Sequence, residues 1–128
     1  NEMIPPLSKG VIYHDPRQYQ KAIRLNPSAP TYLYLSYGST LRQTGRFEES
    51  VSAIKKAIQI SPDNVLGHTG LAATYSMMGR EKEARAEAAE VLRINPRFSV
   101  DYWAKTIGYK DQSETDKLVD ALRKAGLK

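Results

Sequence analysis

The side chains that most often perform catalysis or bind metals are few in this sequence, and they lie far apart. There is no Cys, which excludes disulfides, thiolate nucleophiles and zinc sites with Cys ligands. The two His residues, His14 and His68, have no second His or acidic partner at metal-ligand spacing. Because His68 falls at a helix packing position, we expect it to have a structural role.

Two short motifs resemble functional sites, but neither has the required context. Gly67-His68-Thr69-Gly70 lies early in a helical pattern and lacks the preceding strand and Lys-Ser/Thr pair of a phosphate-binding loop. Asn26-Pro27-Ser28 has Pro at the position that prevents N-glycosylation. Serine is plentiful, but no Ser is placed with a His and an acid as a triad requires. We therefore expect no enzyme activity in this chain, no cofactor and no metal.

Charge and hydropathy predict a solvated chain. The net charge is +5, but acids and bases alternate, as in Arg80-Glu81-Lys82-Glu83, which is typical of solvated helix faces. The densest basic cluster lies at the end of the chain, at Lys117, Arg123, Lys124 and Lys128. No stretch approaches 18 consecutive apolar residues, and the first residues do not form a secretory signal. We expect a cytoplasmic protein without a membrane partner.

The elements that position any functional residue follow from an internal repeat. Residues 31–64 and 65–98 align without a gap, and Gly45 and Gly79 are 34 residues apart, as are Pro62 and Pro96. A period of this size is typical of stacked supersecondary units. Each repeat has two stretches of helical spacing, with Gly between them and Pro after them. The connections are short, so the two helices of each repeat should be antiparallel.

Further helices are predicted on both sides of the repeats. Residues 1–14 are predicted to form an extended arm or linker, and Asp15-Pro16 should start a helix that Pro27 ends. A helix is expected from Phe98 to Ile107, and Ser113-Glu114-Thr115-Asp116 resembles the capping box of a last helix. No strand pattern is present, which predicts an all-α fold.

The repeats resemble tetratricopeptide repeats at the positions where the paired helices pack. In the first repeat these positions are Tyr34, Tyr37, Gly38, Leu41, Gly45, Phe47, Ser50, Ile54, Ala57 and Pro62. In the second they are His68, Leu71, Ala72, Tyr75, Gly79, Glu81, Ala84, Ala88, Val91 and Pro96. His68, Glu81 and Ala88 depart from the aromatic or larger residues usual there.

The resemblance implies antiparallel helix pairs stacked as a short right-handed α-solenoid. Residues 15–128 would form one such domain. It would comprise an orphan second helix at 15–27, repeats at 31–64 and 65–98, and at 99–128 a half-repeat plus a C-terminal capping helix. Gly38 and Ala72 are expected where the helices of each pair approach most closely, because a larger side chain would push them apart.

The C-terminal residues are similar to segments that close such repeat arrays in bacterial signalling proteins, notably those with a class III adenylate or guanylate cyclase domain. The similarity lies in Phe98-Ser99, Tyr109-Lys110-Asp111 and residues 122–127. It implies that the chain is the C-terminal regulatory or interaction part of a larger protein, in which any nucleotide cyclase domain would lie upstream.

The resemblance also implies a protein-binding groove, because the first helix of each pair lines the concave side of such a stack. The expected groove residues are Tyr32, Leu35, Ser39, Arg42, Gln43, Leu66, Thr69, Ala73, Ser76, Met77 and Trp103. Family members that bind a C-terminal carboxylate use Lys and Asn where this chain has Leu35 and Ser39. An apolar helix or extended peptide is therefore the expected partner, unless Tyr32 and Trp103 merely cover the core.

The helix at 15–27 lacks a preceding helix to pack against. Its apolar residues Tyr19, Ala22 and Ile23 need cover from residues 1–14, from an upstream domain or from a second copy of the chain. We therefore expect self-association or docking there, with a homodimer as one form.

An RNA-binding helical repeat of the pentatricopeptide kind is the alternative function, suggested by the basic balance. The spacing of 34 residues and the closing Pro62 and Pro96 argue against it. Nucleic acid is therefore not the expected partner.

Overall fold

The computed structural model describes residues 13, 15–26, 28–107 and 111–128. These residues form the helices α1 (Pro16–Leu25), α2 (Thr31–Gln43), α3 (Phe47–Ile60), α4 (Val65–Met77), α5 (Glu81–Ile94), α6 (Val100–Thr106) and α7 (Gln112–Lys124). Within the described ranges there is no strand, and the predicted all-α, tetratricopeptide-like fold class is confirmed. The chain divides into two compact units, unit 1 (Asn1–Pro62) and unit 2 (Asp63–Lys128).

Helix α1 begins as predicted. The Asp15 carboxylate accepts a hydrogen bond from the Arg17 amide at 2.9 Å, and Pro16 occupies the first helical position. The helix ends at Leu25, followed by Asn26 as its C-cap. The predicted stop at Pro27 and the predicted arm, except for Tyr13, lie outside the described residues.

A cluster of tyrosines joins α1 to α2 in unit 1. The Tyr13 and Tyr19 rings meet edge to face with centroids 4.9 Å apart, and the Tyr13 amide donates to the Tyr19 hydroxyl at 2.9 Å. Tyr19 also stacks on Tyr37, with ring centroids 5.7 Å apart. Such aromatic pairs hold the helices together beyond the effect of burial alone.

Helices α2 and α3 approach closely at Gly38, as predicted. A Cβ atom at this position would lie 2.5 Å from Ile54 Cγ1, so only glycine fits without a shift of the isoleucine. On the same side, the Ser50 hydroxyl donates a 2.7 Å hydrogen bond to the Gly38 carbonyl. The missing side chain therefore permits both the apolar contact and the polar one.

The first helix of each repeat ends in the same way. Gly45 and Gly79 have φ of 81° and 76°, the left-handed conformation that glycine adopts without strain. The next amides, of Arg46 and Arg80, donate back to the carbonyls of Leu41 and Tyr75, each at 2.9 Å. The predicted role of the two glycines is confirmed.

In unit 2, α4 packs against both α5 and α7. Asn64 caps α4 by accepting from the Gly67 amide at 3.1 Å. Between α4 and α5, the His68 ring nitrogen Nδ1 lies 2.6 Å from Glu87 Oε2, a hydrogen bond in which the carboxylate accepts. His68 therefore contributes to the packing of the second helix pair.

The predicted boundaries of the last two helices need correction. Helix α6 is shorter than expected, because the Ser99 hydroxyl caps it by accepting from the Tyr102 amide. The predicted capping box at 113–116 is wrong: Asp111 caps α7, and Ser113 donates its hydroxyl to that carboxylate at 2.8 Å. An ionised carboxylate is the stronger acceptor and displaces the serine from the cap. The predicted break at 108–110 lies outside the described residues.

The last residues of the chain pack back onto unit 2. Gly126 has a φ of 103° and ends α7 as expected, and Ala125 and Leu127 are buried. The Lys128 carbonyl accepts a 2.8 Å hydrogen bond from the Val100 amide at the start of α6. The C-terminal segment thus ties α6 and α7 together.

Candidate functional site

On α2, the expected groove residues fall into two groups. Tyr32, Leu35 and Ser39 are half-buried and Gln43 is exposed, so these side chains present some surface. Arg42 is buried, which removes it from an accessible face. The Tyr32 hydroxyl is also buried, and it has no hydrogen-bond partner among the described residues. The accessible part of Tyr32 is therefore its ring.

On α4, burial divides the expected groove residues more sharply. Leu66 is 53% exposed, and Ser76 and Met77 are half-buried. Thr69 and Ala73 are buried, and the Thr69 hydroxyl donates to the Val65 carbonyl of its own helix at 2.7 Å. Because α4 is packed on two sides, by α5 and α7, little of its surface is left for a partner. Thr69 and Ala73 are therefore core residues, a correction to the predicted groove.

Trp103 on α6 is half-buried, and its ring lies 6.4 Å from that of Phe98. The neighbouring Tyr102 is 73% exposed. Trp103 therefore packs within unit 2 while part of its surface stays accessible. It can both cover the core and belong to a binding surface, the two roles that its sequence position allows.

The residues expected to mediate self-association are mostly covered within the chain. Tyr19 and Ala22 are buried, with Tyr13 and Tyr37 packed against Tyr19. Ile23 is half-buried. The tyrosine cluster thus already covers the apolar side of α1. A second copy of the chain is one of the expected ways to cover that side.

Unit 1 contains a cavity that the sequence reasoning missed. We call it the trough; it has a volume of about 330 Å³, and its lining residues are Gln20, Ile23, Arg24, Tyr34, Tyr37, Glu49, Ser52, Ala53 and Lys56. The residues from α1 follow a spacing of three and four, as do those from α3, so each helix contributes one face. Tyr34 and Tyr37 come from α2, on which both other helices pack.

The sequence contains a signal for the trough, in two aromatic residues whose helical spacing predicts core positions. Tyr34 and Tyr37 were predicted to pack inside the first helix pair, yet both are only half-buried. They pack against the core cluster of Tyr13, Tyr19, Ala22, Ala29 and Leu33 while also lining the trough. How much of each ring remains accessible therefore depends on how α1 and α3 pack on α2.

The electrostatics of the trough favour a negatively charged ligand group. Glu49 accepts hydrogen bonds from Arg46 Nε and Nη2 at 2.9 and 2.6 Å, and this pairing lowers the pKa of Glu49 below its ordinary value of 4.5. Its charge is thereby balanced by Arg46. Arg24 and Lys56 are exposed, and no described carboxylate pairs with either, so they set the sign of the local potential.

Chemically reactive groups are not gathered in the parts of the chain that the structure describes. Within the described ranges, no group of three or more His, Cys, Asp or Glu side chains is placed to hold a metal ion. The pair of His68 and Glu87 joins two helices, and the His68 side chain is almost completely buried. The described residues offer surfaces for contact and the trough.

Comparison with known proteins agrees with this architecture. Residues 38–79, from α2 to the end of the α4 turn, match the family model described as a TPR repeat. The chain contains a tetratricopeptide repeat. The resemblance found in the sequence is therefore confirmed.

One relative bears on the wider context of this repeat chain. Over 44 residues the chain is 46% identical to the protein named "Putative adenylate cyclase 3" of Rhizobium meliloti (strain 1021). The match covers 34% of this chain and 8% of the relative. The chain thus matches a small part of a protein that is much longer than the shared stretch.

No helix among the described residues combines the length and the apolar composition needed to cross a membrane.

Proposed function

We propose that this chain is a non-catalytic protein-interaction module. The observation that carries the proposal is the tetratricopeptide repeat at 38–79, because repeats of this type generally bind protein partners. This match spans parts of the two repeats at 31–64 and 65–98, which form the helix pair of α2 and α3 and that of α4 and α5. Exposed apolar and aromatic side chains, including Leu66 and Tyr102, provide contact area of the kind that interfaces use.

We propose a binding surface in each unit, formed by the accessible residues of the predicted groove. Unit 1 presents Tyr32, Leu35, Ser39 and Gln43, and unit 2 presents Leu66, Ser76, Met77 and Trp103. An apolar helix or extended peptide is the expected partner, because these residues are mostly apolar or uncharged.

A pair of leucine variants tests this surface. Leu66 on α4 is 53% exposed and Leu92 on α5 is 41% exposed, so replacing either with Asp should leave the fold intact. The partner would first be recovered by affinity capture and then purified, and its affinity measured by calorimetry. Leu66→Asp should weaken binding about tenfold or more, whereas Leu92→Asp should change it little. Equal effects of the two variants would exclude the α4 face.

We further propose that the chain is the regulatory or interaction part of a larger cytoplasmic signalling protein of a bacterium, such as an adenylate cyclase. The similarity to the cyclase-named relative and to the tails of such repeat arrays supports this context. The test is to measure cyclase activity of the full-length protein with and without residues 15–128. A full-length protein that carries no catalytic domain would contradict the proposal.

A homodimer through α1 is a further proposal, and it has limited surface to use. With Tyr19 and Ala22 buried, the contact would depend on Ile23 and on Leu25, which is 62% exposed. Sedimentation velocity of the wild type and of Leu25→Asp tests it. A monomer at high concentration in both samples would exclude the dimer.

A further inference from the structure

We infer that the trough of unit 1 is a second binding site, which takes an acidic peptide segment carrying one large apolar side chain. The trough is separate from the α2 and α4 residues of the proposed groove, since none of its lining residues belongs to that set. Binding at the trough would add a second ligand class to an interaction module, and it does not depend on binding at the groove.

The shape of the trough results from how three helices pack. Helices α1 and α3 both pack on α2, and the two tyrosines of α2 lie between them. The volume of about 330 Å³ is near the lower limit of ligand sites, which span roughly 300–1,000 Å³. A cavity of this size suits one large side chain together with parts of its neighbours.

The apolar part of the trough is suited to an aromatic or branched aliphatic group. Tyr34 and Tyr37 offer ring surface, and Ile23 and Ala53 add aliphatic surface from the two walls. The Tyr37 ring is held by stacking on the buried Tyr19, so little side-chain freedom is lost when a ligand packs against it. Rigid aromatic groups are frequent anchors of protein interfaces.

The charged part of the trough selects for acidic neighbours of that apolar group. Arg24 lies on α1 and Lys56 on α3, so the two helix walls each provide one cation. The negative charge of Glu49 is balanced by Arg46. Residues 1–62 also contain eight Lys and Arg against four Asp and Glu, which makes the whole of unit 1 basic. Complementary charge would both steer and orient an acidic peptide.

The lining favours a peptide over a nucleic acid. A phosphate backbone is bound by a continuous series of cations, whereas the trough has two cations, a carboxylate and apolar walls. The Ser52 hydroxyl and the Gln20 amide are exposed at the trough and can form hydrogen bonds with peptide groups.

The test uses a blocked peptide with Phe at its centre and Asp and Glu on both sides, titrated into the full chain. Amide and ring resonances would be followed by NMR, and the affinity measured by fluorescence anisotropy. We expect shifts to concentrate at Tyr34, Tyr37, Ser52 and Lys56. Peptides with Asn and Gln in place of the acids, or with Ala in place of Phe, should bind about tenfold more weakly.

Two variants and a matched control locate the site. Lys56→Glu should weaken peptide binding about tenfold, since it replaces a favourable charge with a repulsive one. Lys55→Glu makes the same change at an exposed neighbour on α3 that does not line the trough, and it should have less than about a twofold effect. Ser52→Trp should fill the trough and thereby weaken peptide binding. Circular dichroism would confirm that the helices remain.

Several outcomes would overturn the inference. These are equal binding of the neutral peptide, equal effects of Lys55→Glu and Lys56→Glu, or no shifts at the trough with millimolar peptide. Tighter binding of a single-stranded oligonucleotide, with the steep salt dependence of phosphate contacts, would also overturn it. Leu66→Asp should leave this peptide's affinity unchanged, so a failure of the groove proposal and a failure of the trough can be distinguished.

Discussion

In the first repeat the side chain of Ile54 packs against Gly38, whereas in the second repeat the equivalent positions, 34 residues later, are Ala72 and Ala88. All four residues are buried. One repeat therefore combines a residue without a side chain and a large one, and the other combines two methyl groups. The packing of a helix pair is therefore specified by pairs of positions, so that an unusual residue at one position is matched at the other.

A second pair of equivalent positions differs in a way that bears on binding. Tyr34 and Ala53 line the trough, and their counterparts in the second repeat are His68 and Glu87. His68 and Glu87 contact each other at 2.6 Å. The same two positions thus contribute to an open cavity in one repeat and to a polar contact between helices in the other.

The two units also differ in charge. Residues 63–128 contain eleven Lys and Arg and ten Asp and Glu, so most of the net charge of +5 comes from the first 62 residues. Many charges of unit 2 are paired along one helix, as in Arg85 with Glu81 and Arg93 with Glu90. Such pairs keep a helix solvated without giving its surface one sign.

The largest expected effect comes from the pair of Gly38 and Ile54. Ile54→Ala should destabilise the protein by about 2–4 kcal/mol, because it removes a fully buried side chain. Gly38→Ala should cost about 1–3 kcal/mol, because the stiff, branched Ile54 would have to move away from the new methyl group. With both changes the pair equals that of the second repeat, and the cost should fall below the sum of the two by about 1 kcal/mol or more.

Urea denaturation of the two single variants and the double variant measures this coupling. Ile60→Ala is the matched control, since Ile60 lies on the same helix and is 54% exposed. It should change the free energy of unfolding by less than about 0.5 kcal/mol. Additive costs at Gly38 and Ile54 would show that the two repeats are not packed by compensating pairs.

Much of the fold could be predicted from the sequence, because its signals are local. The left-handed glycines Gly45 and Gly79, the cap at Asp15 and the close approach at Gly38 each depend on a residue type at a defined position. The cap of α7 was misplaced because Asp111 and Ser113 are both good capping residues. Their competition is decided by the hydrogen bond that one donates to the other.

The candidate sites could be predicted only in part, because exposure depends on which helices pack together. Thr69 and Ala73 have the positions of groove residues, but α7 packs on the same helix that carries them. The trough exists because two helices that are distant in sequence pack on α2 side by side. No spacing within one helix contains that information. Tertiary packing therefore decides which side of a correctly predicted helix can bind a partner.

Glu87→Ala makes the second repeat resemble the first at the position of Ala53. It should destabilise the protein by about 2 kcal/mol, because the carboxylate that accepts from the buried His68 ring is lost. Glu90→Ala is the matched control on the same helix, where the ion pair with Arg93 is exposed and should contribute little to stability. Chemical denaturation measures both, and equal costs would contradict the importance of the contact between the helices.

The helix-ending glycines test what the two repeats share. Gly45→Ala and Gly79→Ala should each cost about 1 kcal/mol, because a methyl-bearing residue is strained at these positive φ values. Chain neighbours aside, no atom of the described residues lies within 4 Å of the added Cβ at either position, so packing should not contribute. Thermal unfolding of the two variants should therefore give similar shifts. A clearly larger cost at one glycine would reveal a difference between the repeats that the turn geometry does not show.

The smallest expected effects concern the two carboxylates that cap α1 and α7. The Arg17 guanidinium holds the pKa of Asp15 below its ordinary value of 3.8, and the Ser113 hydroxyl and amide do the same for the pKa of Asp111. A lowered pKa means that the ionised form is favoured in the folded state. Each cap should therefore contribute fully to stability above about pH 3.8, and its contribution should be lost as the pH falls through the folded pKa.

Salt should affect the pKa values of the two capping carboxylates differently, because a charged partner is the largest cause of the lowered pKa at Asp15, whereas Lys117 is only a minor cause at Asp111. Both side chains are at the surface, so added salt should screen the attraction between Arg17 and Asp15 and raise the pKa of Asp15 toward 3.8. The pKa of Asp111 should move less, since its largest cause is a hydrogen bond from a neutral hydroxyl. Carboxyl-carbon NMR titrations at low and high salt measure both values. Asp111→Asn keeps an acceptor at the cap without a titrating group. The stability contributed by the cap of α7 should then depend less on pH in acid, while the helix persists. If both pKa values moved equally with salt, the charged and neutral hydrogen bonds of the two caps would not be acting differently.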